Sequence, residues 1–444
     1  MDLWIANATV VCLDPGRRVL AGADVVVRDG RIVSVGAPPP DPAAFAGERI
    51  DAGGGVLLPG FVQPHVHLCQ TLFRGAADGL PLLAWLTTRI WPLEAALDER
   101  SMDLSARLGI AELIRGGTTA CLDMGTAHET DAIFAAAKET GFRLTGGKAH
   151  MDEGDRLPAR LREETNASLR EAEALCRRWH GQEAGRLRYA FAPRFVLSCS
   201  DRLLAEVGPL AREKGARLHT HASENAEECA AVVRRFGKGN LAVLAERGLA
   251  GPDVALAHCV HVHPDELRTL AKAGGHAVHC PSSNLKLGSG IAPVPELLAA
   301  GVNVGLAADG AACNDTLDAF VELRLAALLP RPRLGPAALS ARQVVELATL
   351  GGARAMGLEA ELGSIEVGKR ADLVLLDLAR PGTVPWGGDV YGRIVFAAGR
   401  SDVRSVWIDG RPVLRDGRLL TVDEERVVRE AVEEARRVRA RAGI

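Results

Sequence analysis

The sequence predicts an α/β chain: a (β/α)8 barrel of the TIM type, with one small β-domain formed by the N- and C-terminal segments. Three observations carry this. Between about residues 58 and 360, short apolar strands alternate with amphipathic helical stretches, the pattern of a parallel sheet with helical crossovers. Both ends instead show β-branched runs broken at Asp-Gly and Pro-Gly, which is hairpin texture. Neither end holds enough residues for a core of its own, so residues 1–57 and 361–444 are expected to fold together, C-terminal helix included, beside a barrel of residues 58–360.

In chain order, the first hairpins are Ala8–Leu13, Ala23–Val27 and Arg31–Val35, turning at Asp14-Pro15-Gly16 and Asp29-Gly30. The barrel strands begin with Val56-Leu57-Leu58 running into Pro59-Gly60-Phe61-Val62-Gln63-Pro64-His65-Val66-His67. They continue at Thr118–Asp123, Arg143–Thr145, Arg188–Ala192, Arg217–His221, Val254–His258, His276–Cys280 and Val302–Ala307. Helical stretches such as Asp201–Lys214 and Asn225–Phe236 separate several of them. The hairpins return at Ala371–Leu376, Ser405–Ile408 and Val413-Leu414. A last helix from Asp423 to about Ala440 carries Val427, Val428, Ala431, Val432, Ala435 and Val438 in one stripe, with acids early and arginines late, as the helix dipole favours.

Composition excludes several classes. The 53 basic and 56 acidic residues leave a net charge of -3, which gives no electrostatic case for nucleic acid or an anionic membrane. The start, Met1-Asp2-Leu3-Trp4, lacks a signal peptide's basic and apolar regions, and no long apolar run follows. Nine scattered cysteines with no C-x-x-C pair read as reduced thiols. The expectation is a cytoplasmic enzyme.

In such a barrel the functional groups sit at the strand ends. His65 and His67, two residues apart on a strand, face one side and can meet one ion. His221 ends a strand and Glu224 follows it; that spacing lets the histidine hold a metal while the carboxylate moves protons. Asp309 follows the apolar strand Val304–Ala308, an unfavourable place for an acid that binds nothing. His65, His67, His221 and Asp309 together make an N3O set suited to one divalent ion such as zinc. His219 lies on the same face as His221, one layer deeper, and reads as a buried floor residue. His258 ends another strand and reads equally as ligand, hydrogen-bond donor or packing. Arg194-Phe195 at a strand end suits the binding and stacking of a planar ring, or a structural arginine. Leu80–Leu86 and Ile90–Glu94 form an apolar lid candidate with one carboxylate.

This ordered set resembles the amidohydrolase superfamily: Pro59-Gly60-Phe61 before the histidine pair, His221 with Glu224, His258, Asp309, and the tail Gly363-Ser364-Ile365-Glu366-Val367-Gly368-Lys369-Arg370-Ala371-Asp372-Leu373. The resemblance spans nearly the whole chain. It implies a zinc (sometimes iron) hydrolase with a distorted (β/α)8 barrel and a small β-sandwich formed by the N- and C-terminal segments, in which His65, His67, His221 and Asp309 hold the metal. Glu224 then shuttles protons, His258 orients the water and the tetrahedral intermediate, and Asp309 takes a proton from the water. Dimers or higher oligomers are common in the family.

Within it, the chain is similar to the aminohydrolase branch. Ser283–Pro293, Asp309-Gly310-Ala311-Ala312, Leu80-Pro81-Leu82 and Trp91-Pro92-Leu93-Glu94 match the methylthioadenosine/S-adenosylhomocysteine/5'-deoxyadenosine deaminases, whose glutamate at the Glu94 position binds ribose hydroxyls. Those enzymes usually carry histidine where this chain has Arg194. Pro193–Ser200 and Gly147–Asp152 look instead like guanine deaminase, and triazine chlorohydrolases and melamine deaminases share the Ser283–Pro293 pattern. The resemblance therefore implies hydrolytic deamination of 5'-modified adenosines, with Glu94, Arg194, Phe195, Glu224 and Asp309 against a small purine nucleoside or base. Guanine deamination and triazine hydrolysis are the alternatives. A barrel without catalysis, kept as a scaffold, is the alternative of another class; the complete ligand set and Glu224 speak against it.

Overall fold

The computed structural model describes residues 2–444 and contains two sheets. The first gathers both ends of the chain. Its N-terminal strands are β1 (Leu3–Val11), β2 (Val19–Arg28), β3 (Arg31–Val35), β4 (Glu48–Asp51) and β5 (Val56–Pro59). The second sheet comprises β6 (Phe61–Val66), β7 (Thr118–Met124), β8 (Arg143–Gly147), β9 (Ala149–His150), β10 (Leu187–Pro193), β11 (Arg217–Ala222), β12 (Val254–His258), β13 (His276–His279) and β14 (Asn303–Leu306). The chain then returns to the first sheet as β15 (Leu373–Leu376), β16 (Val403–Ile408), β17 (Arg411–Arg415) and β18 (Arg418–Leu419).

Every pairing in the second sheet is parallel, in the order β14-β13-β12-β11-β10-β8-β7-β6, with the short β9 beside β10. A parallel bridge between Val66 and Asp309 draws its two edges together, so the sheet is a nearly closed eight-stranded barrel. All eight barrel strands expected from the sequence are present, but the first begins at Phe61: its apolar approach, Val56-Leu57-Leu58, belongs to β5 of the first sheet, from which Gly60 separates it. The first sheet runs β18-β17-β16-β15-β5-β1-β2-β3 and is largely antiparallel. Its N- and C-terminal halves join where β5 pairs with β15, Pro59 opposite Leu373.

The barrel interior is dry below and polar above. Val62, Ala120, Leu122, Ala190, Ala255, Val278 and Ala307 point inward, and Met356, Leu358 and Leu362 complete this apolar cluster. Small residues dominate because eight strands leave room only for packed side chains. Gly60 makes the step from the first sheet into the barrel: a Cβ there would stand 2.1 Å from Thr119 Oγ1.

Arg143 of β8 ties the two sheets. Its guanidinium forks onto Asp372, Nε to Oδ2 at 2.8 Å and Nη2 to Oδ1 at 2.9 Å, and also reaches Asp409 Oδ1 at 2.6 Å. This geometry explains the acid that precedes β15.

The C-terminal helix, Glu424–Ala442, packs against the barrel helix Glu99–Arg115. Val427, Ala431 and Val438 are buried, whereas Val428 and Val432 of the expected stripe are about half exposed. No helix among the described residues is long and apolar enough to cross a membrane.

Candidate active site and metal centre

β6 delivers His65 and His67 to the barrel's C-terminal end, β11 delivers His221, β12 ends at His258, and Asp309 follows β14. His258 and Asp309 have positive φ, 76° and 65°, rare for residues other than glycine. Such backbone persists only where its surroundings impose it, and it clusters at functional sites.

The second ring nitrogens fix the tautomers. His67 Nδ1 lies 2.7 Å from the Met124 carbonyl and His221 Nδ1 lies 2.8 Å from the Arg194 carbonyl. A carbonyl only accepts, so each ring donates from Nδ1 and leaves Nε2 bare. The two bare Nε2 atoms face each other at 3.2 Å. His65 Nε2 is buried without a hydrogen-bond partner, 3.2 Å from Asp309 Oδ1. His67 Nε2 lies 3.5 Å from the same oxygen. His258 also reaches this point: one donor atom each from His65, His221, His258 and Asp309 lies within 4.8 Å of the others, a set that leaves out His67.

Lone pairs turned on one another and on a carboxylate repel unless a cation lies among them, so the residues fit a metal ion. Their protonation agrees. Burial, then His65, pushes His67 down to about 3, and burial with the neighbouring rings pushes His221 well below the usual imidazole range. Burial favours the neutral form of Asp309, but His65, His258 and His67 hold its carboxyl well below the ordinary value. Ser283 Oγ at 2.7 Å and the Gly310 N–H at 2.8 Å donate to it.

Glu224 sits just past β11 and is buried. Desolvation, then the charges of Asp309 and Glu228, raises its carboxyl well above the ordinary range. It therefore holds a proton where an exposed glutamate would not. Glu228 anchors its turn: Glu228 Oε2 accepts the Glu224 N–H at 3.0 Å, and Asn225 and Glu228 form the capping box of the helix Ala226–Phe236. His258 Nε2 lies 3.5 Å from Glu224 Oε2 and 3.9 Å from Asp309 Oδ2, and Asn284 Oδ1 orients the ring through Nδ1 at 2.9 Å.

A cavity opens over these groups, walled by Leu82, Trp85, Leu86, Phe195, Arg194 and Gln70. Arg194 and Phe195 therefore stand where the sequence suggested. Glu94, in the short helix Trp91–Ala95, is fully buried and pairs with Arg194 rather than lining the cavity.

His219 and Gln70 take parts that the sequence reading did not give them. His219 is buried as expected, and its Nε2 lies 2.7 Å from His65 Nδ1, bracing that ring. Gln70 reaches Glu94 from the turn Leu68–Phe73. Its only signal in the sequence is its place three residues after His67.

The fold and this site define a barrel hydrolase of the metal-binding kind. The chain belongs to the amidohydrolase family, whose model matches residues 56–413. It is 37% identical over 441 residues to a 5'-deoxyadenosine deaminase of Methanosarcina mazei, covering 99% of each chain. It is 40% identical over 444 residues to a 5-methylthioadenosine/S-adenosylhomocysteine deaminase of Desulforudis audaxviator, again covering 99% of each. Among solved structures, an adenosine deaminase from Xanthomonas campestris with bound zinc superposes with a TM-score of 0.92 at 36% identity, over 99% of both chains.

Proposed function

We propose that this chain is a zinc-dependent hydrolytic deaminase of 5'-modified adenosines, such as 5'-deoxyadenosine, 5'-methylthioadenosine and S-adenosylhomocysteine, giving the inosine analogue and ammonia. The observation that carries the reading is a buried Glu224 beside the His/Asp cluster, 3.5 Å from His258 Nε2. It stands in a chain that aligns end to end with deaminases of these nucleosides.

His65, His67, His221 and Asp309 would hold the ion, one per chain; three imidazoles and a carboxylate suit Zn2+, with Fe2+ the alternative. When bound, the ion supplies the Lewis acidity that makes water nucleophilic near neutral pH. The chain's own residues do the rest. Phe195 offers a ring face to the purine. Asp309, kept ionised, accepts a proton from the attacking water, and His258 Nε2 stands beside both Asp309 and Glu224 where it orients the oxygen that adds to C6. Glu224 delivers a proton to the departing nitrogen, the C6–N bond breaks, and ammonia leaves. This chemistry belongs to residues 58–360. The nine free cysteines favour the cytoplasm.

Ammonia release by the purified zinc-loaded protein tests this, with 5'-deoxyadenosine, 5'-methylthioadenosine, S-adenosylhomocysteine, adenosine and guanine side by side. Turnover led by the 5'-modified nucleosides supports the reading. Turnover of guanine alone would make Arg194 and Phe195 a base-reading pair and overturn it.

A further inference from the structure

Glu94 has no acceptor site left for a ligand. Its Oε1 accepts from Gln70 Nε2 at 2.9 Å and from Arg194 Nη2 at 3.0 Å, and its Oε2 accepts from Arg194 Nη1 at 2.6 Å and Thr126 Oγ1 at 3.1 Å. A carboxylate offers about four lone-pair sites, and here the protein fills them. The cavity wall at this end is made by Gln70 and Arg194, with Glu94 behind them.

The same contacts settle the Gln70 amide. A carboxylate cannot donate, so the NH2 end must face Glu94 and the carbonyl end must face away. That Oε1 is buried with no hydrogen-bond partner, against Gly310, where an added Cβ would stand 2.5 Å from it. An unpaired buried acceptor beside a cavity is costly unless a bound molecule satisfies it.

We propose that Glu94 is a positioning residue, which fixes Gln70 and Arg194, and that Gln70 Oε1 and the Arg194 guanidinium are the groups that meet the substrate. Gln70 takes a hydrogen-bond donor of the ligand, either a ribose hydroxyl or an N–H of the base. The sugar hydroxyls are then read by a neutral amide or not at this end at all, and in neither case by the Glu94 carboxylate. This rests on the nucleoside reading above.

The test is steady-state kinetics with 5'-deoxyadenosine and 2',3',5'-trideoxyadenosine on zinc-loaded wild type, Glu94→Gln and Gln70→Met. If Glu94 only positions, the ratio of kcat/KM between the two nucleosides moves in Glu94→Gln no further than in Gln70→Met, while KM for both rises about tenfold and kcat changes little, a loss of binding common to ground and transition states. Gln70→Met either erases the diol preference, which marks a hydroxyl, or raises KM for both nucleosides equally, which marks the base. A diol preference erased by Glu94→Gln but kept in Gln70→Met, or a Gln70→Met variant kinetically equal to wild type, overturns the proposal. Should Glu94→Gln not fold because Arg194 is left unpaired, the double variant Glu94→Gln/Arg194→Met removes both charges, and its diol ratio is again expected to move no further than that of Gln70→Met. Wild-type protein inert toward both nucleosides would overturn the nucleoside reading and this assignment with it, an outcome distinct from those above.

Discussion

The Nε2 atoms of His67 and His221 stand 3.2 Å apart with their lone pairs opposed, each ring holding its proton on the far side against a backbone carbonyl. The carbonyls of Met124 and Arg194 thus leave both rings with the Nε2 lone pair free. Neither carbonyl belongs to a residue whose side chain is needed for that task.

Removing the ion should therefore weaken the fold as well as the activity. Chelator-treated protein is expected to melt several degrees below zinc-loaded protein, and stoichiometric zinc should restore the difference, because an ion bound only by the native state stabilises it by mass action. Melting curves with and without zinc measure this; identical midpoints would count against the site.

Glu224→Gln keeps the shape of the side chain and removes the proton shuttle. A fall in kcat of about 10²–10⁴-fold is expected, with one zinc per chain still measured by elemental analysis. Equal loss of zinc and activity would mean that Glu224 holds the metal instead.

Glu322 sets a pH dependence of stability. It is buried, accepting from the Ser282 N–H at 3.1 Å, Ser282 Oγ at 2.5 Å and Asn314 Nδ2 at 2.9 Å, and burial lifts its carboxyl from 4.5 to about 7. The unfolded chain releases this proton near the ordinary value, so between 4.5 and about 7 the folded state binds more protons and stability falls as pH rises. Urea titrations across that window should show a shallower fall in Glu322→Gln than in wild type.

Asp372→Ala leaves Arg143 buried with only Asp409 for a counterion. Stripping one partner from a buried ion pair costs about 3 kcal/mol or more, and chemical denaturation should report a loss of that order. An unchanged midpoint would show that Asp409 alone satisfies the guanidinium.

Much of this was legible in the amino-acid order. The barrel strands announced themselves as apolar runs ending in polar, metal-type residues, because only the C-terminal end of such a strand can tolerate them. His65, His67, His221 and Asp309 were readable for that reason. Gln70 and Glu94 were not readable as partners, since 24 positions separate them and nothing local shows that one carboxylate takes four donors. His219 was placed at the right depth, but its bond to His65 depends on two strands lying across the barrel from each other. The terminal helix misled in another way. Its stripe is continuous in sequence, yet the barrel helix beneath covers only part of it, leaving Val428 and Val432 in the open.

The pairing of β5 with β15 has a consequence for the order of synthesis. Val56–Pro59 leads directly into the strand that carries His65, but one of its edges waits for Leu373–Leu376, made long afterwards. A nascent chain can therefore assemble the middle of the barrel while the segment that begins the metal site still lacks its neighbour. A chain cut short of β15 would leave one edge of β5, the strand that leads into His65, without its partner.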